Sequence, residues 1–205
     1  SSAGAVMRSM HCYLAAFLFA AAFQGLNAKV LRVCESCPVR SIKEALRLAA
    51  PADTIEVDGG LYKEGRIDIF KPVRILGINH PVIDGEEKGH VIYVEAPDVT
   101  IEGLLIQNSG TSDLEEFAGI YVEHSERCRI IGNHLKKNTY GVYLSNSNHC
   151  IIQDNTISGA HDQEMTAGNG VHLFYAENIE VLNNEVSLHR DGLYFEFAKN
   201  MRIAK

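Results

Sequence analysis

Apolar and polar residues alternate with period two along most of the chain, in short stretches separated by Gly, Asn and Asp. Such alternation is typical of β-strands with one buried face. Four of these stretches align on a glycine, at Gly119, Gly141, Gly170 and Gly192, which are 22, 29 and 22 residues apart. A fainter copy with Val91 in the glycine position precedes them. This repeat predicts one supersecondary unit stacked many times.

Aligning the repeats gives columns of equivalent residues, which predict an all-β protein: a right-handed, single-stranded parallel β-helix of the pectate-lyase type. Three apolar columns are expected to face the core: Ile120, Val142, Val171 and Leu193; Val122, Leu144, Leu173 and Phe195; Val99, Cys128, Cys150, Ile179 and Met201. Cys128 and Cys150 are therefore expected to be small buried groups, although a disulfide between neighbouring coils is sterically allowed. Asn133, Asn155 and Asn184 recur at one turn, where their amides can hydrogen-bond along a stack repeating every ~4.8 Å.

The segment before the repeats predicts a capping helix at about residues 41–50. Ser41 is a suitable N-cap, since Glu44 follows three residues later. We expect about five coils, spread over residues 54–205. Because the repeat is still running at Lys205, we expect this chain to be the N-terminal part of a longer β-helix, truncated at its C-terminus.

The start of the chain has the pattern of a secretory signal. An apolar run of eleven residues, Tyr13–Phe23, follows Met7 and Arg8 and is too short to span a bilayer. We therefore assign residues 1–28 to a leader and signal peptide and residues 29–205 to the β-helix. The mature chain is expected to be periplasmic and not membrane-spanning.

Cysteine usage and charge narrow the function further. In an oxidising compartment Cys34 and Cys37, in the string CESC, are expected to form a local disulfide or to bind a soft metal. The net charge of -7 argues against nucleic acid as a partner, because that needs clustered Lys and Arg.

Two columns beside the aligned glycines are expected to face outward: Tyr93, Tyr121, Tyr143, His172 and Tyr194; Glu95, Glu123, Ser145, Phe174 and Glu196. An aromatic strip beside carboxylates such as Glu123 and Glu196 is typical of a partner or ligand surface, but tyrosine also favours strands for its own sake. Two insertions, 108–118 and 158–169, enter the same strand from the same side. We expect both to project beside the strip, where functional loops are commonly found.

Histidine and methionine near the second insertion indicate a copper site. The candidate ligands are His161, Met165, His172 and His189, with His124 as a weaker one. His172 replaces a tyrosine in the outward column, so we expect it to face solvent. Acidic side chains of the insertions could instead serve as acid and base in a polysaccharide-cleaving enzyme, although polar loops are often acidic for solubility alone: Asp113, Glu115, Glu116, Asp162 and Glu164.

Several strings resemble the NosD family: LEEFAGIYVEHS, GNGVHLFYAENIEVLNNEV, HRDGLYFEF and PVIDGEEKGHVIYVEAPDVTIEGLLIQNSG, together with the early CxxC. The resemblance covers about Val30 to Lys205. It implies a periplasmic β-helix that docks onto a membrane ABC transporter and assists copper insertion into nitrous oxide reductase, without catalysis of its own. It also implies copper as the metal, with transporter subunits and the reductase or a copper chaperone as partners. By motif it favours His172 and the HRDGLYFEF strand, with His161 and Met165 as weaker candidates.

The residues leave two other functions open. A carbohydrate-active β-helix, such as a lyase, hydrolase or epimerase, would use the aromatic strip to hold sugar rings. A surface or adhesion solenoid would need no chemistry at all. The leading hypothesis is the copper-handling accessory protein, which is not an enzyme.

Overall fold

The computed structural model describes residues 28–159 and 168–205. Its elements, in chain order, are β1 (Val30–Val33), α1 (Ile42–Leu48), β2 (Thr54–Val57), β3 (Leu61–Tyr62), β4 (Ile67–Ile69), β5 (Arg74–Gly77), β6 (Val82–Asp84), β7 (Ile92–Val94), β8 (Thr100–Glu102), β9 (Leu105–Gln107), β10 (Ala118–Glu123), β11 (Arg129–Ile131), β12 (His134–Lys136), β13 (Tyr140–Ser145), β14 (Ile151–Gln153), β15 (Thr156–Ser158), β16 (Asn169–Phe174), β17 (Glu180–Leu182), β18 (Glu185–Ser187), β19 (Asp191–Glu196) and β20 (Arg202–Ala204).

These strands stack in parallel into three sheets, which confirms the predicted parallel β-helix. Sheet A has the order β1-β2-β5-β8-β11-β14-β17-β20, sheet B the order β18-β15-β12-β9-β6-β3, and sheet C the order β19-β16-β13-β10-β7-β4. Each coil contributes one strand to each of the three sheets, and the chain then continues into the next coil. Six strands in sheets B and C exceed the five coils expected, because residues 54–84 form coils without the aligned glycine.

The register of sheet C is the one that the glycine alignment predicts. Ile120 pairs with Val142, Val142 with Val171, and Val171 with Leu193. The side chains of Ile120, Val142 and Val171 are fully buried in the core between the sheets. Since side chains alternate along a strand, the residues between them point away from this core.

The N-terminal end is covered by α1, as predicted. Ser41 Oγ accepts a hydrogen bond from Glu44 N at 3.0 Å, and Ile42, Ala45 and Leu46 are buried. The helix packs against β1, β2 and β4. Strand β1 was not predicted: it lies before the helix and pairs with β2 at the edge of sheet A.

Buried polar residues, like the apolar ones, recur at equivalent positions in successive coils. Asn155 Oδ1 accepts from Asn133 N at 2.9 Å and from Asn133 Nδ2 at 3.1 Å, and Asn184 Oδ1 accepts from Asn155 in the same way. This confirms the predicted asparagine ladder. Cys128 and Cys150 are buried free thiols, as expected. The neighbouring Cys128 thiol and burial together hold the pKa of the Cys150 thiol above its usual value.

Candidate functional site

The outward aromatic column of sheet C is a continuous stack, which we call the aromatic ladder: Tyr93, Tyr121, Tyr143, His172 and Tyr194. Successive ring centroids lie 5.9, 4.9, 4.3 and 4.9 Å apart. The His172 ring is within 7° of parallel to Tyr143. Tyr143 therefore stacks on one face of this imidazole and the tilted ring of Tyr194 lies against the other, which restricts the orientation of the imidazole.

His172 does not face solvent, so that prediction was wrong. Its side chain points away from the core, yet only 5% of the residue is exposed, and Tyr143 is only 3% exposed. The ring of Tyr140 packs edge-on against both, with centroid distances of 5.6 Å to His172 and 5.5 Å to Tyr143. The ladder is therefore covered in its middle and open at Tyr194, which is 40% exposed.

Phe117, from the first insertion, and His90 cover the part of the ladder that contains Tyr121. Phe117 packs edge-on against His90 at 5.5 Å, and His90 lies 4.3 Å from the Tyr121 ring. His90 Nδ1 accepts from Ala118 N at 3.2 Å, and burial lowers the pKa of His90 to about 4. His90 was missed as a site residue because it lies just outside the alternating strand pattern.

Carboxylates line the ladder, although only some of them contact it. Tyr93 Oη donates to Glu123 Oε2 at 2.8 Å and to Glu95 Oε2 at 3.2 Å. Burial, together with the negative charge and hydrogen bonding of Glu116, raises the pKa of Tyr143. Glu196 is half-buried in the outward column that also contains Glu123. Of the predicted partner surface, Tyr143 is buried, Tyr194 is exposed, and the remaining members are half-buried: Tyr93, Tyr121, Glu123 and Glu196.

The described residues on either side of positions 160–167 carry an unusual group of unpartnered atoms. Within the described part of the chain, Asn169 Oδ1, His172 Nε2 and both ring nitrogens of His189 are buried without a hydrogen-bond partner. Buried polar atoms are normally paired, because leaving one unpaired costs about 1–3 kcal/mol. Unpartnered ring nitrogens and amide oxygens of this kind are chemically able to bind a ligand.

Asn169 is placed to control which nitrogen of His172 is free. The amide nitrogen Nδ2 lies 2.9 Å from His172 Nδ1. In this orientation Nδ2 donates to Nδ1. A half-turn of the amide would place Oδ1 there instead, so that Oδ1 is no longer unpartnered: it accepts from Nδ1–H and leaves a lone pair on Nε2. A metal-bound imidazole commonly donates its other N–H to such an oxygen.

His189 occupies space that two glycines leave open. A Cβ atom added to Gly159 would lie 3.3 Å from His189 Cγ, and one added to Gly170 would lie 3.5 Å from Cδ2. Burial lowers the pKa of both His172 and His189, although nearby Gly168 and Thr139 backbone groups partly oppose this at His189. Both imidazoles are thus neutral at neutral pH, which is the form that binds metals.

The two other predicted ligands, His161 and Met165, lie outside the described residues. Over residues 28–159 and 168–205, no group of three or more His, Cys, Asp or Glu side chains is arranged to hold a metal ion. His124, the weaker candidate, is exposed at a turn with φ of 48° and lies outside the group of unpartnered atoms.

The early cysteine pair is a disulfide. The Cα atoms of Cys34 and Cys37 are 5.0 Å apart and their sulfurs are bonded. The disulfide was one of the two predicted states for this pair. It lies at the end of β1, at the N-terminal edge of the stack.

The architecture defines the class of protein as a parallel β-helix protein. It is similar to a protein described as a glycosyl hydrolase from Parabacteroides merdae, with 13% identity and a TM-score of 0.68, over 86% of this chain and 96% of the other. It is also similar to the alginate lyase from Paenibacillus sp., with 17% identity and a TM-score of 0.59, over 83% of this chain and 65% of the other. At such low identity these likenesses concern the fold alone.

Within that class, the chain belongs to the NosD family. Residues 71–205 match the family described as periplasmic copper-binding protein (NosD). The chain is 30% identical over 132 residues, 63% of its length, to a protein of Stutzerimonas stutzeri named probable ABC transporter binding protein NosD. A relative of the same name from Pseudomonas aeruginosa is 30% identical over 130 residues, 62% of this chain. The chain spans about 30% of the length of these two relatives.

The comparisons confirm the resemblance to the NosD family that the sequence indicated. The relatives' names describe a binding protein. Across the described ranges, no helix is long and apolar enough to cross a membrane.

Proposed function

We propose that this protein is a periplasmic accessory protein of nitrous oxide reductase maturation, exported by its N-terminal signal, which handles copper as a cargo and is not itself an enzyme. Its partners are the subunits of a membrane ABC transporter and the reductase or a copper chaperone. Family membership supports the pathway, and the names of the relatives support the transporter. The observation that carries the copper role is the group of buried, unpartnered nitrogens on His172 and His189.

The chemistry of this group fits copper. Imidazole nitrogen is a good copper ligand, and thioether sulfur favours Cu(I). His172 contributes Nε2, oriented by the ladder and by Asn169, and His189 contributes a second ring nitrogen. His161 and Met165 belong to the segment between Gly159, which lies beside His189, and Asn169, which contacts His172. We therefore propose that they complete the ligand set.

The burial of these histidines suits a transient cargo site. Both rings stay neutral at neutral pH, because burial lowers their pKa. Copper therefore does not have to displace a proton from an imidazolium, and the ring of His172 is already oriented. A partner that engages this region can then receive the ion.

Cu(I) competition with a chromophoric chelator tests the site on the full-length protein. His172→Phe keeps an aromatic ring in the ladder and is expected to weaken Cu(I) binding at this site at least 100-fold, as is His189→Phe. Asn169→Ala removes only the orienting amide and should weaken binding about 10–100-fold. Two controls should bind as the unchanged protein does: Tyr143→Phe, which keeps the stack, and His134→Ala, which removes an exposed histidine. Equal affinities in all five variants would refute the site.

The maturation role is tested separately in cells. A strain lacking the protein should produce nitrous oxide reductase with less bound copper, and the His172→Phe protein should fail to restore it. Capture of the full-length protein from membranes should bring the transporter subunits with it. Full copper loading of the reductase in the deletion strain would contradict the maturation role, whatever the chelator competition gives.

The geometry of the ladder does not favour the carbohydrate alternative. Sugar rings stack on exposed aromatic faces, whereas the faces of Tyr121, Tyr143 and His172 are occupied by one another. The middle of the ladder is also buried. Release of new sugar ends from acidic polysaccharides by the purified protein would reverse this ranking.

A further inference from the structure

The Cys34–Cys37 disulfide does little to hold the fold. The turn that contains it is closed by Cys37 N donating to Cys34 O at 3.2 Å and by Cys34 N donating to Val39 O at 3.3 Å. Val33 before it is fully buried and pairs with Val57 in β2. A cross-link three residues long also restricts the unfolded chain less than one that closes a long loop. The bond can therefore open while the turn stays in place.

This pair is also accessible. Cys34 and Cys37 are half-buried, whereas Cys128 and Cys150 lie in the core at 2% and 1% exposure. Among the cysteines in the described part of the chain, only the first two are therefore open to a soluble thiol. Since thiol–disulfide exchange requires access to the sulfur, reduction is directed to this pair.

A small cavity lies beside both sulfurs. It has a volume of about 50 Å³ and is lined by Arg32, Val33, Glu56, Asp58 and Ile78 together with the two cysteines. That is room for a single ion or for one or two waters. The surrounding turn also carries Ser36, whose Oγ lies 3.5 Å from Cys34 Sγ.

The charges of the cavity favour a cation. Glu56 is paired with Arg32, with Oε2 and Nε 3.0 Å apart, so these two side chains roughly cancel. Asp58 Oδ1 accepts from Asn79 Nδ2 and from Gly59 N, each at 2.8 Å, and these hydrogen bonds lower the pKa of the carboxyl group. One carboxylate thus remains uncompensated in the lining, which attracts a positive ion.

We propose that Cys34 and Cys37, once reduced, form a second copper site that binds one Cu(I) ion at this cavity, and that the disulfide is its closed state. A periplasmic dithiol protein supplies the reduction: its thiolate attacks one sulfur, the Sγ–Sγ bond breaks, and a disulfide forms on the donor. Two electrons and two protons pass to the cysteines. Cu(I) then replaces the thiol protons, which leave to solvent, and two Cu–S bonds form. Thiolate sulfur is the ligand type that selects Cu(I).

The choice of copper rests on the proposed function, but the site is independent of His172. It uses different ligands, lies at the N-terminal edge of the stack and responds to redox state. The two sites would give the protein a thiol-dependent entry point for copper and a separate imidazole site in sheet C.

Cu(I) titration of the oxidised and the reduced full-length protein tests this proposal. Cys12→Ser serves as the background, so that the cysteine within residues 1–27 does not contribute. Reduction followed by anaerobic removal of the reductant should add one tightly bound Cu(I) per chain, with a near-ultraviolet thiolate-to-copper absorption band. The double variant Cys34→Ser/Cys37→Ser should lose this increment. The matched control Cys128→Val/Cys150→Val should keep it.

Two further experiments distinguish a failure of the proposed cysteine site from a failure of the proposed imidazole site. Alkylating the thiols of Cys34 and Cys37 in the folded, reduced protein should abolish the additional Cu(I) binding without any mutation. The His172→Phe protein should still bind the additional Cu(I) after reduction. This test therefore remains valid even if the proposed imidazole site does not exist. The proposal is overturned if oxidised and reduced proteins bind equal copper, if the increment survives in the double Ser variant, or if the reduced pair prefers Zn²⁺ to Cu(I).

Discussion

Asn155 provides a quantitative test of whether side-chain hydrogen bonds hold the coils together in addition to the apolar core. It is 1% exposed, and its side chain makes four hydrogen bonds to neighbouring coils, with Asn133 N, Asn133 Nδ2, Asn184 Oδ1 and Ile130 O. Asn155→Leu keeps a side chain of similar size while removing all four. We expect the free energy of unfolding to fall markedly.

The expected loss in the free energy of unfolding follows from the polar groups that lose their hydrogen-bond partner in Asn155→Leu. Each bond contributes a net ~0.5–1.5 kcal/mol, and a buried donor without a partner costs about 1–3 kcal/mol. The amide N–H of Asn133 becomes such a donor, whereas Asn133 Nδ2 keeps its bond to Ile101 O. Allowing for overlap between these contributions, we expect a loss of about 3–5 kcal/mol.

Urea unfolding followed by circular dichroism measures this loss. With a denaturant slope of about 2–3 kcal/mol/M, the midpoint should fall by about 1–2 M. Asn184→Leu is the matched control, since Asn184 continues the same ladder but is half-buried, so water can replace its partners. Its loss should be less than half as large. A loss below about 1 kcal/mol for Asn155→Leu, or an equal loss in both variants, would refute the reasoning.

Three further predictions concern the pH response, the glycine column and the cysteines of the core. The pKa of His90 in the folded state is about 4, below its unfolded value of 6.5, so the unfolded chain binds more protons in between and stability should fall as the pH drops from 6.5 towards 4; an NMR titration of the His90 ring at 6.5 would contradict this. Gly141→Ala would push its Cβ into Gly170 O and Ile157 and should cost about 1–3 kcal/mol, whereas a Cβ at Gly60 meets nothing closer than 3.5 Å, so Gly60→Ala should be neutral or slightly stabilising in the same urea assay. Cys128→Val/Cys150→Val should cost less than about 1.5 kcal/mol, because valine already occupies the same column at Val99; a larger calorimetric loss would mean that the thiol hydrogen bonds matter.

The repeat could be predicted from sequence because two signals agreed. Period-two alternation determines which face each residue occupies, and the aligned glycines determine how far apart equivalent residues lie. A slip of one residue would turn Val142 outward and Tyr143 inward, so the register is strongly specified. The pairing of Val142 with Val171 confirms it.

The number of coils could not be predicted, because strand β1 and the coils of residues 54–84 carry only one of these signals. Strand β1 and residues 54–84 supply inward apolar side chains such as Ile55, Ile75 and Ile83, but no aligned glycine. An inward position accepts any apolar residue of suitable size, so these coils share little sequence with those that follow. Their existence depends on pairing with distant strands, which short-range patterns do not report.

The burial of His172 was equally inaccessible to sequence reasoning. Alternation correctly places the imidazole outside the core, on the same side as Tyr143. Its cover comes from Tyr140 on the preceding coil, 32 residues earlier in the chain. Whether an outward residue is exposed depends on such neighbours, and a column-by-column alignment treats each outward position alike.

Two departures from the repeat coincide in one coil, and together they support the proposed copper site more strongly than either does alone. The spacing grows from 22 to 29 residues between Gly141 and Gly170, and two residues later the ladder changes from tyrosine to His172. The fold requires neither change, since neighbouring coils stack without them. The inserted residues contain His161 and Met165, and the described atoms on both sides of 160–167 include the buried nitrogens without partners. An insertion, candidate ligand side chains and unpartnered ring nitrogens that occur together in one coil are better explained by a binding site than by packing.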